Sequence, residues 1–382
     1  MIQQFGSIYL DHNATTPLHP EVSGVLRQHL SESLVGNPSS LHGPGRVARA
    51  LLEKAREQLS LLLGVEPSEL FFTSGGTESN NALLLGIAES EQPLWISATE
   101  HPSVREAAKK RWAEGAPGGE LPVTESGLLD MKIRSKGWDF EGALVSLQWV
   151  NNETGTVQLL RDWVDWFHQQ GALVHTDGAQ GFFRLPVKVS ELGVDAATIT
   201  AHKSFGPTGV GALWVRRGVV LDPILRGGPQ ERKVRPGTEN LLAIVGMGAL
   251  AEICQRSPLW ELGDLTRKAE EFRSQLSSIP GLRVISPISH HFPNCISVTL
   301  QDLVAETVLV RLDLEGIAAS SGSACSSGAR EPSHVLAAMG VPEAEIQGAL
   351  RFSLGPQSSD DELSFVVDRL RVISEELRGR RG

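Results

Sequence analysis

Basic residues, cysteines and long apolar runs are all scarce in this chain. Lysine and arginine number 35 against 45 aspartates and glutamates, a formal net charge of −10. A phosphate backbone calls for a basic surface, so nucleic acid is excluded as the main partner. Only three cysteines occur: Cys254, Cys295 and Cys325. An odd, widely spaced set is neither a disulfide framework nor a zinc cluster. No spacing of His, Asp and Glu makes a metal site either. No stretch approaches the roughly 18 continuous apolar residues of a membrane span. MIQQFGSIYLDHN, at the N-terminus, lacks a basic region followed by an apolar run, so no secretory signal is expected. The chain has no internal repeat and no low-complexity tract. A reducing cytoplasm is the expected compartment.

What is present is ordinary for a globular protein: 382 residues, 41% apolar and 21% charged. That length exceeds what one core serves, so two domains are expected. LWISA (94–98), ALVSLQWV (143–150), ALVHTD (172–177) and AATITA (196–201) read as buried strands. Between them, VARALLEKAREQLSLLLG (47–64) and LLRDWVDWFHQQG (159–171) carry helical period. Strands alternating with helices predict an α/β domain with a mostly parallel sheet, whose ligand sits at the carboxyl ends of the strands. GAPGGELPVTESG (115–127) reads as an exposed excursion. Past about residue 255 a polar helix pattern (265–279), CISVTL (295–300) and RFSLG (351–355) predict a smaller α+β domain, with the boundary near 250–260.

Three segments that follow strands carry chemistry. TSGGTESNNALLLG (73–86) is a Gly-Gly turn opening a helix, where free backbone N–H groups and a threonine hydroxyl form an anion site. Gly75 and Gly76 can equally do no more than permit a tight turn. HTDGAQ (175–180) places Asp177 just after a strand with Gln180 beyond it. Such an aspartate is a helix cap, a metal ligand, or the partner of a protonated ring nitrogen. HKSFGPTGVGAL (202–213) sets Lys203 at another strand end, where burial is costly unless the amine is paired or covalently used. A surface lysine is the plain alternative. Together the three supply what pyridoxal phosphate needs: a phosphate site, a carboxylate for the ring nitrogen and an amine for covalent attachment.

The chain resembles the cysteine desulfurases of the NifS/IscS type, class V members of the fold-type I pyridoxal phosphate enzymes. The resemblance rests on ten segments in order: YLDHNATTP (9–17), NPSSLHGPGR (37–46), FTSGGTESNN (72–81), TEHPSV (99–104), VNNETG (150–155), HTDGAQ, HKSFGPTGVGAL, RPGTEN (235–240), SSGSAC (320–325) and LRFSLG (350–355). It implies a large domain with a mostly parallel seven-stranded sheet over residues 15–255. Residues 1–14 and 256–382 are then the small α+β domain carrying a mobile cysteine loop.

By the same resemblance Lys203 is the Schiff-base lysine, which also shuttles the Cα proton, and His101 is a catalytic residue that stacks on the ring and takes part in proton transfer. Asp177 pairs with the ring nitrogen and Gln180 with the ring hydroxyl. Gly76, Thr77, Thr200 and His202 are expected at the phosphate, with Thr238 reaching the site of a second copy in a homodimer. Asn152 and Arg351 are expected to hold the substrate carboxylate, a task suited to the guanidinium fork. Cys325 lies in a Ser/Gly arm, ASSGSACSSGAREPS (318–332), and is the implied sulfur acceptor. Cys254 and Cys295 lie in apolar patterns where thiols are inert. A selenocysteine or cystine lyase on the same scaffold has no need of a mobile cysteine, and a non-catalytic cofactor-binding relative has no need of Lys203 or Cys325. A sulfur-acceptor protein is the expected partner.

Overall fold

The computed structural model describes residues 8–31, 36–87, 91–135, 137–322 and 332–379. Its central feature is a seven-stranded sheet. The strands are β2 (Leu70–Thr73), β3 (Leu94–Ser97), β4 (Gly118–Leu121), β5 (Leu144–Ser146), β6 (Leu173–Asp177), β7 (Ala196–Thr200) and β8 (Gly211–Val215). Their spatial order is β2-β8-β7-β6-β5-β3-β4. Only β8 runs against the rest, antiparallel to both β7 and β2. All five residues of β7, AATIT, are buried, as expected of a central strand covered on both faces.

Helices cover the sheet because their apolar residues recur at helical spacing. In Leu160–Gln169 the buried positions are Leu160, Trp163, Val164 and Phe167, one stripe of a 3.6-residue period. The helix Gly43–Leu63 buries Ala48, Leu52, Ala55, Leu59 and Leu63, then stops at Gly64 in the left-handed conformation (φ 67°). It starts four residues before the periodic pattern, because His42 caps it by accepting from the Gly45 N–H.

One sequence expectation fails here. The segment read as an exposed excursion contains edge strand β4, parallel to β3. Its composition, GGEL, lacks the branched residues that mark a strand. The glycine is required: a Cβ on Gly118, whose φ is 143°, would lie 1.8 Å from the Leu94 carbonyl oxygen. A second difference is smaller. The strand expected over 143–150 is regular only over Leu144–Ser146, although the Leu147 and Trp149 N–H groups still donate to His175 and Asp177 of β6.

A four-stranded antiparallel sheet follows later in the chain, built from β9 (Leu282–Val284), β10 (Cys295–Leu300), β12 (Ser320–Ser321) and β13 (Ala349–Ser353) in the order β12-β13-β10-β9. Register sets Ser297 opposite Arg351. Near the N-terminus, β1 (Ile8–Tyr9) pairs in parallel with β11 (Ile317–Ala318), and Asp11 then bridges to Ser353. Residues 8–14 thus run from beside the smaller sheet to the carboxyl ends of the larger one.

Candidate active site

The carboxyl ends of β2, β3, β5, β6 and β7 converge on a cavity of about 260 Å³. Ten of the residues singled out in the sequence line it: Gly76, Thr77, His101, Asn152, Asp177, Gln180, Thr200, His202, Lys203 and Arg351. Arg351 comes from β13 of the smaller sheet, so both sheets contribute. Thr238 is exposed and is not among the lining residues. Its segment is nonetheless tied to the cavity's edge, because Arg235 pairs with Glu78 of the helix Gly76–Leu84 at 2.8 Å. Cys325 lies outside the described residues. Cys295 is buried and Cys254 partly so, and burial pushes both thiols up to about 12.

Asp177 ends β6. One carboxylate oxygen accepts from the Ala179 N–H (3.0 Å), the local turn that the sequence allowed. The other accepts from the Asn80 amide at 2.8 Å. Asn80 also donates to the Ser103 hydroxyl (2.8 Å), which meets His101 Nδ1 at 2.8 Å. The Ser103 N–H donates to that same nitrogen at 3.1 Å. An accepting Nδ1 puts the proton of a neutral imidazole on Nε2. Asn80 and Ser103 therefore hold the ring and the carboxylate in one network, and neither was singled out in the sequence. The available signal was polarity on a covered face: Ser79 and Asn80 are fully buried in an otherwise amphipathic helix.

The Lys203 amine donates to the backbone oxygens of Asn13 and Ala14, both at 2.8 Å. Asn13 O also accepts from the Gln180 amide at 2.9 Å. Beside Lys203, His202 is held down to about 4 by burial first, then by the Lys203 and Arg184 charges. Its imidazole is therefore neutral at physiological pH. Behind Asp177, the fully buried His175 is likewise lowered to about 4 by burial and sits between Ser146 and Thr198 hydroxyls. Glu100, preceding His101, is raised well above the usual carboxylate range by burial and by the nearby Asp177. Such perturbed groups cluster at functional sites.

At the other wall, Arg351 donates to Asp11 (2.6 Å) and to the Asn152 carbonyl (3.2 Å). Its Nε has no partner in the structure although it is buried. One edge of the fork is thus satisfied and one is left for a further acceptor.

A likeness to known proteins decides what family this is. The aminotransferase class-V profile matches residues 8–366. A cysteine desulfurase IscS of Dictyoglomus turgidum (strain DSM 6724 / Z-1310) is 38% identical over 97% of this chain and 95% of its own length. The chain belongs to the aminotransferase class-V family. Two solved structures agree with this membership: a NifS-like protein, 34% identical with a TM-score of 0.87 over 97% of this chain and all of that one, and SspA in complex with cysteine, 30% identical with a TM-score of 0.79 over 92% of this chain and 99% of that one.

Class-V aminotransferases are pyridoxal phosphate enzymes, and the residues present fit that cofactor. Gln180 Oε1 and Asn80 Oδ1, on two residues that line the cavity, are buried without a partner. The helix Gly76–Leu84 opens with no side-chain cap, leaving its first N–H groups for an anion. A Cβ on Gly76 would meet the Thr200 methyl at 2.9 Å, so the start of this helix lies backbone-close to the end of β7. Among the described residues no group of three His, Cys, Asp or Glu side chains could hold a metal ion, and no helix is long and apolar enough to cross a membrane.

Proposed function

We propose that the chain is a pyridoxal phosphate-dependent cysteine desulfurase, converting L-cysteine to L-alanine with the sulfur passed to Cys325 as a persulfide. The observation that carries this reading is the convergence of Lys203, Asp177 and His101 at one end of the sheet with the half-satisfied fork of Arg351. In this reading Lys203 attaches the cofactor, Asp177 faces its ring nitrogen, Gln180 its hydroxyl and His101 its ring. Gly76, Thr77, Thr200 and His202 take the phosphate, joined by Thr238 from a second copy in a homodimer. When bound, the cofactor supplies an electron sink that makes the substrate's Cα proton removable.

The remaining work falls to the chain. Arg351 and Asn152 take the substrate carboxylate, with Asp11 holding the guanidinium by its other edge. The Lys203 amine moves the proton at the substrate Cα. The Cys325 thiolate attacks the substrate sulfur, so an S–S bond forms as the Cβ–S bond breaks. L-Cysteine and a thiol become L-alanine and a persulfide, and no outside oxidant is needed. An ordinary thiol, with a pKa of about 8.5, is only a few per cent thiolate at neutral pH. The persulfide then serves a sulfur-acceptor protein of iron–sulfur assembly or thiolation, in the cytoplasm. Residues 15–255 form the cofactor domain, with 1–14 and 256–382 as the smaller one.

The test is product analysis of purified protein given L-cysteine, L-selenocysteine or L-cystine. Alanine and sulfide from cysteine, borohydride fixation of the cofactor at Lys203, and collapse of alanine formation in Cys325→Ser are expected. Fixation at another lysine, or full activity in Cys325→Ser, would sink the assignment and leave direct C–S lysis.

A further inference from the structure

Arg184 lies behind the site, out of contact with the cavity, and is only 3% exposed. A buried cation ordinarily has an anionic partner. Here every acceptor is neutral. Nε and Nη2 both donate to the backbone oxygen of Lys203 (3.1 and 2.5 Å). Nη1 donates to Asn13 Oδ1 (2.8 Å) and Nη2 to the His12 carbonyl (3.1 Å). The rings of Trp260 and Phe292, packed against each other, lie together on one side of the guanidinium at 4.9 and 5.8 Å. The ionisable groups that feel its charge or act on it are Cys295, Arg351, His202 and His12, and none is a carboxylate.

What this one planar group joins is specific. It holds the carbonyl of the residue that bears the amine, and it holds residues 12 and 13, of which Asn13 supplies a resting acceptor for that amine. Asn13 is itself fixed from four further sides: its amide donates to Asn152 O (3.1 Å), its Oδ1 accepts from Asn294 (2.9 Å), its N–H donates to Ser353 Oγ (2.9 Å), and its carbonyl accepts from Gln180. The donor loop and the acceptor segment are about 190 residues apart in sequence, and the fork bridges them.

We propose that Arg184 is a positioning residue for Lys203, setting the register between the lysine loop and the Asn13–Ala14 carbonyls so that the amine is held ready at the cavity. This deepens the desulfurase reading and rests on it. A guanidinium suits the task because its donors diverge in one rigid plane, which a lysine's single ammonium cannot reproduce.

The experiment compares wild type, Arg184→Met, Arg184→Lys and Asn13→Ala, each loaded with pyridoxal phosphate and assayed for alanine from L-cysteine. Misplacing a reacting group by about 1 Å costs roughly 100-fold in rate, so Arg184→Met is expected to lower kcat about 10- to 100-fold with KM little changed. Arg184→Lys should recover part of the loss. A second readout needs no turnover: in cofactor-stripped protein, acetic anhydride labelling of Lys203, measured by peptide mass spectrometry against the exposed Lys54, should speed up in Arg184→Met and Asn13→Ala. Wild-type kcat and wild-type Lys203 labelling in Arg184→Met would overturn the proposal, as would a lower melting temperature with both quantities unchanged. If Arg184→Met does not fold, Arg184→Lys and Asn13→Ala carry the test, and wild-type labelling in both overturns it. A wild type that makes no alanine sinks the functional reading instead, and leaves the labelling comparison standing.

Discussion

Arg56 and Arg184 are buried to the same degree, each 3% exposed, yet their surroundings differ in kind. Arg56, on the helix Gly43–Leu63 away from the cavity, makes a two-pronged pair with the buried Glu231 at 2.7 and 2.9 Å. Burial pulls its pKa down, but the hydrogen bonds and charge of Glu231 outweigh that and raise it. Arg184, beside the lysine loop, has neutral acceptors only, and burial with the nearby Arg351 brings it down to about 9. Where a charge only holds elements together, its counterion is supplied. At Arg184 no carboxylate accepts, and the donors go to backbone oxygens and the Asn13 amide oxygen, whereas Arg351 in the cavity wall does have a counterion in Asp11. Buried carboxylates repeat the contrast: Glu231 has Arg56, whereas Glu153 accepts from the Ser333 hydroxyl and has no ion-pair partner among the described residues.

The comparison breaks most visibly at Arg56. Arg56→Met leaves Glu231 buried and unpaired, and should cost about 3–5 kcal/mol in denaturant unfolding. Adding Glu231→Met should restore at least about half of this, the remainder being the orphaned Phe72 N–H that Glu231 accepts at 2.8 Å, a loss of about 1–3 kcal/mol. A double variant no more stable than the single one would show that the charge pair is not what matters there.

Glu153 offers the next largest effect, through pH. Burial pushes its carboxyl from 4.5 up to about 7. Between those values the folded protein holds a proton that the unfolded chain has released, so stability from this group is full below pH 4.5 and is lost as pH rises through 7. His12, His175, His202, His291 and His334, all lowered to about 4 chiefly by burial, act in the opposite sense: they weaken the fold as pH falls from 6.5 towards 4. Only the difference between proteins isolates the carboxyl. Relative to wild type, Glu153→Gln should be on the order of 2 kcal/mol better at pH 7.5 than at pH 4.5. Parallel unfolding profiles would refute an ionisation of Glu153 in that window.

The smallest expected effect on stability is the most informative. Arg184→Met gives up four hydrogen bonds but also removes an uncompensated charge, so its net cost should stay under about 2 kcal/mol while turnover suffers. A stability loss matching that of Arg56→Met would erase the distinction between the two arginines.

The residues legible in the sequence are those whose setting is local. Asp177 and Lys203 each follow a branched apolar strand within a few positions, and Gly75–Gly76 announce a turn into a helix. Strand β4 was not legible, because GGEL has no strand composition and its glycine answers to a carbonyl on β3. Asn80, Ser103 and Asn13 were passed over for a related reason. Their amides and hydroxyls acquire meaning only from partners 97, 23 and 171 residues away.

By itself, then, the sequence determined the alternation of strand and helix, the side of the sheet on which a ligand would lie, and the residue types gathered there. Those follow from hydrophobic period and from turn chemistry, which act over a few residues. Only the tertiary structure decided which oxygen each polar group faces, that Arg351 keeps one donor unpartnered, and that Arg184 is buried without a counterion. Burial and pairing depend on contacts between distant segments, and a guanidinium written in the sequence is the same in either setting until folding removes the water around it.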